Sequence, residues 1–277
     1  MEITLPLDKL CLPSITNGDK IYVVLVATGS FNPPTLMHLR MFELARDALN
    51  SNGFCVIGGY MSPVNDAYKK KGLIAADHRI ELCNLACKSS DFIMVDPWEA
   101  KQSSFQRSLT VLNRVKSFLI EGGLIPKESL KVMLVCGSDL VQSFSIPGFW
   151  IPEQDDGDIK DIFFGLNIMR RACSSLSYEG TNFGICIKYQ VRSICKDYGV
   201  VCIRREGQDL EKIINGDEIL NENQDNIRIV DELVPNQISS TRLRECISRG
   251  LSIKYLTVDE VIEYIKKQNL YLELNEK

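Results

Sequence analysis

Apolar and polar positions alternate along this chain in two periods, and the change from one to the other marks its first unit. Ile21 to Ala27 is an unbroken, β-branched apolar run, which predicts a strand buried on both faces. Thr28-Gly29-Ser30 breaks the run, and Pro33-Pro34 prevents its continuation. From Thr35 the period is helical. Phe42, Ala45 and Leu49 share one stripe, while Arg40, Glu43, Arg46, Asp47 and Asn50 take the opposite face, and Asn52-Gly53 supplies the stop. The pattern then repeats. Phe54 to Gly59, Phe92 to Val95, Leu130 to Cys136, Val200 to Ile203 and Ile227 to Val230 read as further strands. Ala75 to Ser89 reads as a helix, and Ser103 to Glu121 as an amphipathic one with Phe105, Leu109, Leu112, Val115 and Leu119 on its stripe. Thr257-x-x-Glu260 reads as a capping box opening a last helix through Lys267. Strands alternating with helices predict an α/β fold, a doubly wound parallel sheet of Rossmann-like type with C-terminal helices.

Composition narrows the classes. The chain has 277 residues, 45% hydrophobic and 25% charged, and a formal net charge of −4. That is ordinary globular composition, and the lack of a basic stripe argues against a nucleic-acid partner. No apolar run approaches a membrane span, and MEITLPLDKL has no secretory pattern. The ten cysteines are scattered through apparent strands and helices, so reduced thiols in the cytoplasm or nucleus are expected. With two histidines and no Cys-x-x-Cys pair, no protein-held metal site is expected. Residues 1–19 are polar and proline-bearing, and are expected to form a loose lead-in to a single domain over 20–277. Oligomeric state is not legible, and a homo-oligomer stays open.

The chemistry concentrates where strands end. A glycine turn running into a helix offers N–H groups and a positive dipole end to a phosphate. His38 falls in the first turn of that helix. Its plain reading is a capping or core histidine, and its place behind the Gly29-Ser30 turn adds that of a phosphate ligand. Asp139 follows the fourth strand, as helix cap or site residue. Ser239 is a good N-cap, with Ser240, Thr241 and Arg242 in the first turn and Arg244 beyond; this makes a second anion site or simply a basic helix start. Lys69-Lys70-Lys71 lies in a loop leaving a strand's C-terminal end, as a solvated patch or a catalytic one.

Gly29-Ser30-Phe31-Asn32-Pro33 with Thr35-Leu36-Met37-His38-Leu39-Arg40 resembles the nucleotidylyltransferase signature, in which a Thr/His-x-x-His motif stands here. Within that superfamily the chain most resembles eukaryotic, plant-like nicotinamide/nicotinic acid mononucleotide adenylyltransferases. SPV-DAYKKKGL, CG-D-L--SF, PGFW and ISSTRLR carry the likeness further. The resemblance implies adenylyl transfer from ATP to nicotinamide mononucleotide, or nicotinic acid mononucleotide, with Mg²⁺ on the phosphates. It assigns catalysis to His38, Lys70 and Arg244. ATP would meet Gly29, Ser30, Phe31, His38, Thr241, Arg242, Leu243 and Arg244. The mononucleotide or dinucleotide would meet Gly29, Ser30, Tyr68, Lys70, Phe105, Ser108, Gly137, Asp139, Phe149, Trp150, Arg205 and Asn236. Trp150 would stack on the pyridine ring, and Phe105 stands where the family carries a second tryptophan.

The likeness fails over 155–190. That stretch opens acidic, holds Phe163-Phe164 and Arg170-Arg171, and keeps no steady period, while its flanks join smoothly without it. A translated intron or splice insertion accounts for it better than an evolved subdomain. Other readings are a sister transferase for another phosphorylated acceptor, a class I aminoacyl-tRNA synthetase core, or an activity-impaired isoform acting as a nucleotide-binding, chaperone-like protein. The Trp150 loop and DAYKKKGL speak against the first, and the acidic balance against the second.

Overall fold

A computed structural model describes residues 3–12, 20–146, 189–205, 207–234 and 236–272. Six strands, β1 (Tyr22–Gly29), β2 (Cys55–Pro63), β3 (Ile93–Val95), β4 (Leu130–Gly137), β5 (Val200–Ile203) and β6 (Ile227–Val230), form one all-parallel sheet in the order β3-β2-β1-β4-β5-β6. The chain changes direction across the sheet between β1 and β4, so a crevice opens beyond their carboxyl ends. Both end in glycine, Gly29 and Gly137.

The helices are α1 (Leu36–Ser51), α2 (Ala76–Cys87), α3 (Ser108–Glu121), α4 (Ser138–Phe144), α5 (Leu210–Gly216), α6 (Glu218–Glu222), α7 (Ser240–Ser248) and α8 (Asp259–Lys267). The predicted double burial of the first strand holds. Val24 and Val26 enter the core with α3 and residues 191–198, while Val23, Leu25 and Ala27 enter the core with α1 and α2. A third cluster, Leu82, Leu243, Ile253, Val261 and Ile265, joins α2, α7 and α8. Among the described residues no helix is long and apolar enough to cross a membrane.

Four expectations need correction. The lead-in is packed over 3–12, where Leu5 is buried, the Cys11 N–H donates to Ile57 O at 2.8 Å and Lys9 Nζ to Cys87 O at 2.7 Å. It fits because β2 carries Gly58, where a Cβ would come within 2.4 Å of Leu10. Residues 13–19 lie outside the described ones. Second, α3 starts at Ser108 rather than Ser103: Gln106 Nε2 bonds back to Ser104 O at 3.1 Å, a local bond that competes with helix. Phe105 is therefore off the stripe and 43% exposed. Third, Thr257 is not part of a capping box; Val258 is the N-cap of α8, and Thr257 Oγ1 donates to Pro34 O at 2.9 Å. Fourth, the excursion expected over 155–190 lies outside the described residues up to 188, and its last two residues belong to the fold. Tyr189 and Gln190 are helical with 191–193, and the helix runs into a wider π-turn, Ile194–Tyr198, with Gln190 buried.

Candidate active site

The site grows from the turn between β1 and α1. Phe31 adopts φ 41°, a left-handed conformation that is rare for a large side chain and is held here by burial of its ring. Thr35 caps α1, and the capping box closes on the histidine three residues later. The Thr35 N–H donates to His38 Nδ1 at 3.0 Å, while Thr35 Oγ1 accepts from the His38 N–H at 3.4 Å. Because Nδ1 accepts a backbone N–H, the neutral ring carries its proton on Nε2. Burial first, then the charges of Arg205 and Lys70, lowers the His38 pKa to about 4. So the histidine is both the cap and a neutral Nε2–H donor at the crevice.

The helix mouth is less open than the sequence implied. The Leu36 N–H donates to Leu256 O at 3.0 Å, and the His38 and Leu39 N–H groups return to Thr35 O. Side chains supply the donors in their place. Lys70 Nζ donates to Ser30 Oγ at 2.8 Å from a tight turn closed by the Leu73 N–H on Lys70 O. Desolvation, then the Arg244 charge, lowers the Lys70 pKa. Arg244 Nη1 donates to Asn32 O at 2.7 Å. Its helix is docked on the same turn, with Ser240 Oγ donating to Pro33 O at 2.7 Å. His38, Lys70 and Arg244 thus converge on the turn 29–35, through Thr35, Ser30 and Asn32. In the α7 cap, Ser239 Oγ accepts from the Arg242 N–H at 3.3 Å. Thr241 and Arg242 are exposed beside it. The Leu243 side chain is fully buried in the α2–α7–α8 core.

The second wall stands at β4. Gly137 is the N-cap of α4 with no side-chain cap bond, so Asp139 is not the cap. Its carboxylate pairs with the Arg205 guanidinium and accepts from Gln208 Nε2 at 3.1 Å. The Arg205 N–H donates to Ser138 Oγ, and a Cβ on Gly137 would lie 3.5 Å from Arg205 Nε. Ser108 Oγ lies 2.8 Å from Thr28 Oγ1 at the end of β1. Tyr68 and Phe105 stack with ring centroids 5.7 Å apart and an interplanar angle of 22°. Asn236 Oδ1 accepts from the Ile238 N–H, shaping the approach to α7. Phe149 and Trp150 lie outside the described residues.

Two residues that organise the site were not picked out from the sequence. Arg79, fully buried, donates to Ile74 O at 2.9 Å and Ser30 O at 3.4 Å and pairs with Asp66 at 2.7 Å, tying both ends of the lysine loop to the glycine turn. Asn32 holds the same loop from the other side, donating to Gly72 O at 2.7 Å. The available signal for Arg79 was an arginine on the buried stripe of α2, with Ala76, Ile80 and Cys83.

Chemically, the crevice offers an uncharged N–H, two cations and hydroxyls around one turn, an arrangement suited to phosphates. The comparisons agree. The cytidylyltransferase-like family model matches residues 26–246. The nicotinamide/nicotinic acid mononucleotide adenylyltransferase of Arabidopsis thaliana is 61% identical over 274 residues, covering 99% of this chain and 100% of that protein. The Oryza sativa protein of the same name is 56% identical over 99% of this chain and 96% of its own length, and Bos taurus protein 1 of that name 36% identical over 94% and 92%. Among solved structures, Plasmodium falciparum nicotinic acid mononucleotide adenylyltransferase complexed with APC shares the fold, with TM-score 0.53 at 17% identity over 91% of this chain and 99% of that one. By the reach of the family model and the identity along nearly its whole length, the chain belongs to the cytidylyltransferase-like family and, within it, to the nicotinamide/nicotinic acid mononucleotide adenylyltransferases.

Proposed function

We propose that this chain transfers the adenylyl group of ATP to nicotinamide mononucleotide and to nicotinic acid mononucleotide, forming NAD or its deamido form and pyrophosphate. The observation that carries the reading is the convergence of His38, Lys70 and Arg244 on the turn 29–35, through Thr35, Ser30 and Asn32. The mononucleotide 5′-phosphate oxygen attacks the α-phosphorus of ATP, and the bond from that phosphorus to the bridging oxygen breaks as pyrophosphate leaves. The nucleophile is already an anion, so no general base is required. The protein's work is to align two phosphates and to take up charge as it shifts.

His38 serves as an Nε2–H donor to an α-phosphate oxygen. Because it stays uncharged near neutral pH, neutralisation falls to Lys70 and Arg244, with Thr241, Arg242 and the first turn of α7 at the distal phosphates. Gly29 and Ser30 let the phosphates approach the turn, with Phe31 shaping it. The ring and ribose side is assigned to Tyr68, Phe105, Ser108, Gly137, Asp139, Phe149, Trp150, Arg205 and Asn236, with Trp150 the main stacking face. The donor set at the turn is cationic and hydroxylic, and Asp139 is engaged by Arg205. A divalent cation, Mg²⁺ in this reading, is therefore carried by the ATP phosphates and water rather than by a protein carboxylate cage. Free buried cysteines such as Cys83 and Cys136 suit a reducing compartment, cytoplasm or nucleus.

The test is direct. The purified chain, given ATP, Mg²⁺ and either mononucleotide, is expected to release dinucleotide and pyrophosphate in equal amounts. Absence of dinucleotide with both acceptors would refute the reading.

A further inference from the structure

Tyr271, in the segment after α8 and outside every motif of the sequence, reaches the same turn. Helix α8 ends in a Schellman arrangement: the Asn269 N–H returns to Lys266 O at 3.2 Å and the Leu270 N–H to Ile265 O at 3.0 Å, with Asn269 at φ 52°. Leu270 packs on the α2–α7–α8 cluster, and Tyr271, itself at φ 63°, is turned back toward the sheet. Its hydroxyl donates to Asn32 Oδ1 at 2.8 Å.

Asn32 is fully buried, and its side-chain amide and backbone carbonyl are all hydrogen-bonded. Nδ2 donates to Gly72 O at 2.7 Å; Oδ1 accepts from Tyr271 and, at 3.4 Å, from the Ile74 N–H; its carbonyl accepts from Arg244 Nη1. Gly72 is the third residue of the turn that runs from Lys70 to Leu73. An amide has two orientations, and a donor on one side selects between them. The Tyr271 hydroxyl can donate to Oδ1, whereas the Gly72 carbonyl can only accept. Together they orient the amide. Without the hydroxyl, Oδ1 retains only the long Ile74 contact, and a buried acceptor left so poorly satisfied is costly.

We infer that Tyr271 is a positioning residue for adenylyl transfer, acting through Asn32, whose amide holds the Lys70 turn and whose backbone carbonyl holds Arg244. This rests on the proposed function, since those two cations are placed there on the transferred phosphates. Tyr271→Phe keeps the ring and removes only the oxygen. Small misplacement of aligned groups is expensive, so kcat is expected to fall about tenfold while the melting temperature moves little. Hydrogen exchange over 68–74 should speed up in the variant, and that over β1 should not. In the Asn32→Ser background, adding Tyr271→Phe should cost no further activity, because the relay is already cut. An inactive parent protein would overturn the proposed function and this inference together. An active parent with unchanged kcat in Tyr271→Phe, unchanged exchange over 68–74, or full additivity with Asn32→Ser would overturn this inference alone.

Discussion

The two walls of the crevice are built to different standards. On the phosphate wall residues 31–35 are buried, and the polar atoms named above over 30–34 are each tied to a separate part of the chain: Lys70 through Ser30, Arg244 through Asn32, α7 through Pro33, residue 257 through Pro34. On the ring wall, Tyr68 is 38% and Phe105 43% exposed, and the Arg205–Asp139 pair is 44% and 59% exposed. An exposed ion pair is held by roughly 0.2–1 kcal/mol and opens readily to a ligand. In-line transfer between phosphates tolerates little displacement, whereas a stacked ring can slide over a π face at small cost. In the proposed reading, the fold thus puts its rigidity where the bond changes and leaves the recognition of the acceptor ring to surface groups.

The largest effect should come from the rigid wall. His38→Ala removes one charge-stabilising donor and the partner of the α1 cap, and kcat should fall by a factor on the order of 10² to 10³, with little change in the mononucleotide KM. Arg244→Ala should in addition raise the KM for ATP. Steady-state kinetics with each substrate varied in turn checks both, and an intact kcat in His38→Ala would remove the histidine from the chemistry. The ring wall should give a smaller and one-sided loss. Trp150→Ala should weaken mononucleotide binding by about 1–3 kcal/mol, the range for a base on an aromatic face, and leave ATP unaffected. Titration calorimetry separates the two ligands, and equal losses for both would erase the distinction between the walls.

What could be read from the sequence follows the same division. The strands were legible because burial on both faces writes an unbroken apolar run, as at Ile21 to Ala27. The first site residues were legible because a glycine turn, a helix mouth and a histidine lie within ten positions, Gly29 to His38. Arg79 was not, because its role depends on Ser30 and Asp66 arriving from elsewhere in the chain. The packing of residues 3–12 was hidden for a similar reason: the bare face of Gly58 that receives Leu10 lies far along the sequence. Phe105 was misassigned by a spacing, with Leu109 and Leu112, that helices share with loops leading into them. Local bonds at Ser104 decided the outcome.

Titration offers a subtler probe of the rigid wall. The folded His38 pKa of about 4 lies below the ordinary value of 6.5. Above pH 6.5 neither state binds the proton, and this group leaves stability level. Between pH 6.5 and 4 the unfolded chain takes up a proton that the folded chain refuses, so stability falls as pH falls, by at most about 1.4 kcal/mol per pH unit. Buried Glu99 runs the other way. Desolvation raises its pKa to about 8, so its contribution weakens as pH rises from about 4.5 to 8. The difference between the parent and His38→Gln isolates the histidine. Urea midpoints at pH 7, 5.5 and 4.5 should show the parent losing more than the variant on acidification, and parallel curves would mean that His38 is not held neutral.

The smallest expected effect, and the one that separates the walls most sharply, comes from the stretch beside Trp150. Buried Gln190 sets the limit of what can be removed: it is part of the fold, so the excision should run over 155–188 rather than to 190. Loop closure grows slowly with length, about 0.6 kcal/mol for each doubling, so carrying this stretch costs the core little and losing it should not unfold the core. Its first residue lies five positions past Trp150 in sequence, and away in sequence from the turn 29–33 and from α7. Excision of 155–188 should therefore leave the melting temperature equal or higher, the KM for ATP unchanged, and the mononucleotide KM equal or lower. Any gain confined to the mononucleotide marks the stretch as an encumbrance on the adaptable wall alone. A variant that fails to fold, or that loses activity, would show the stretch to be a working part of the enzyme, and the ring wall to be more than a set of surface groups.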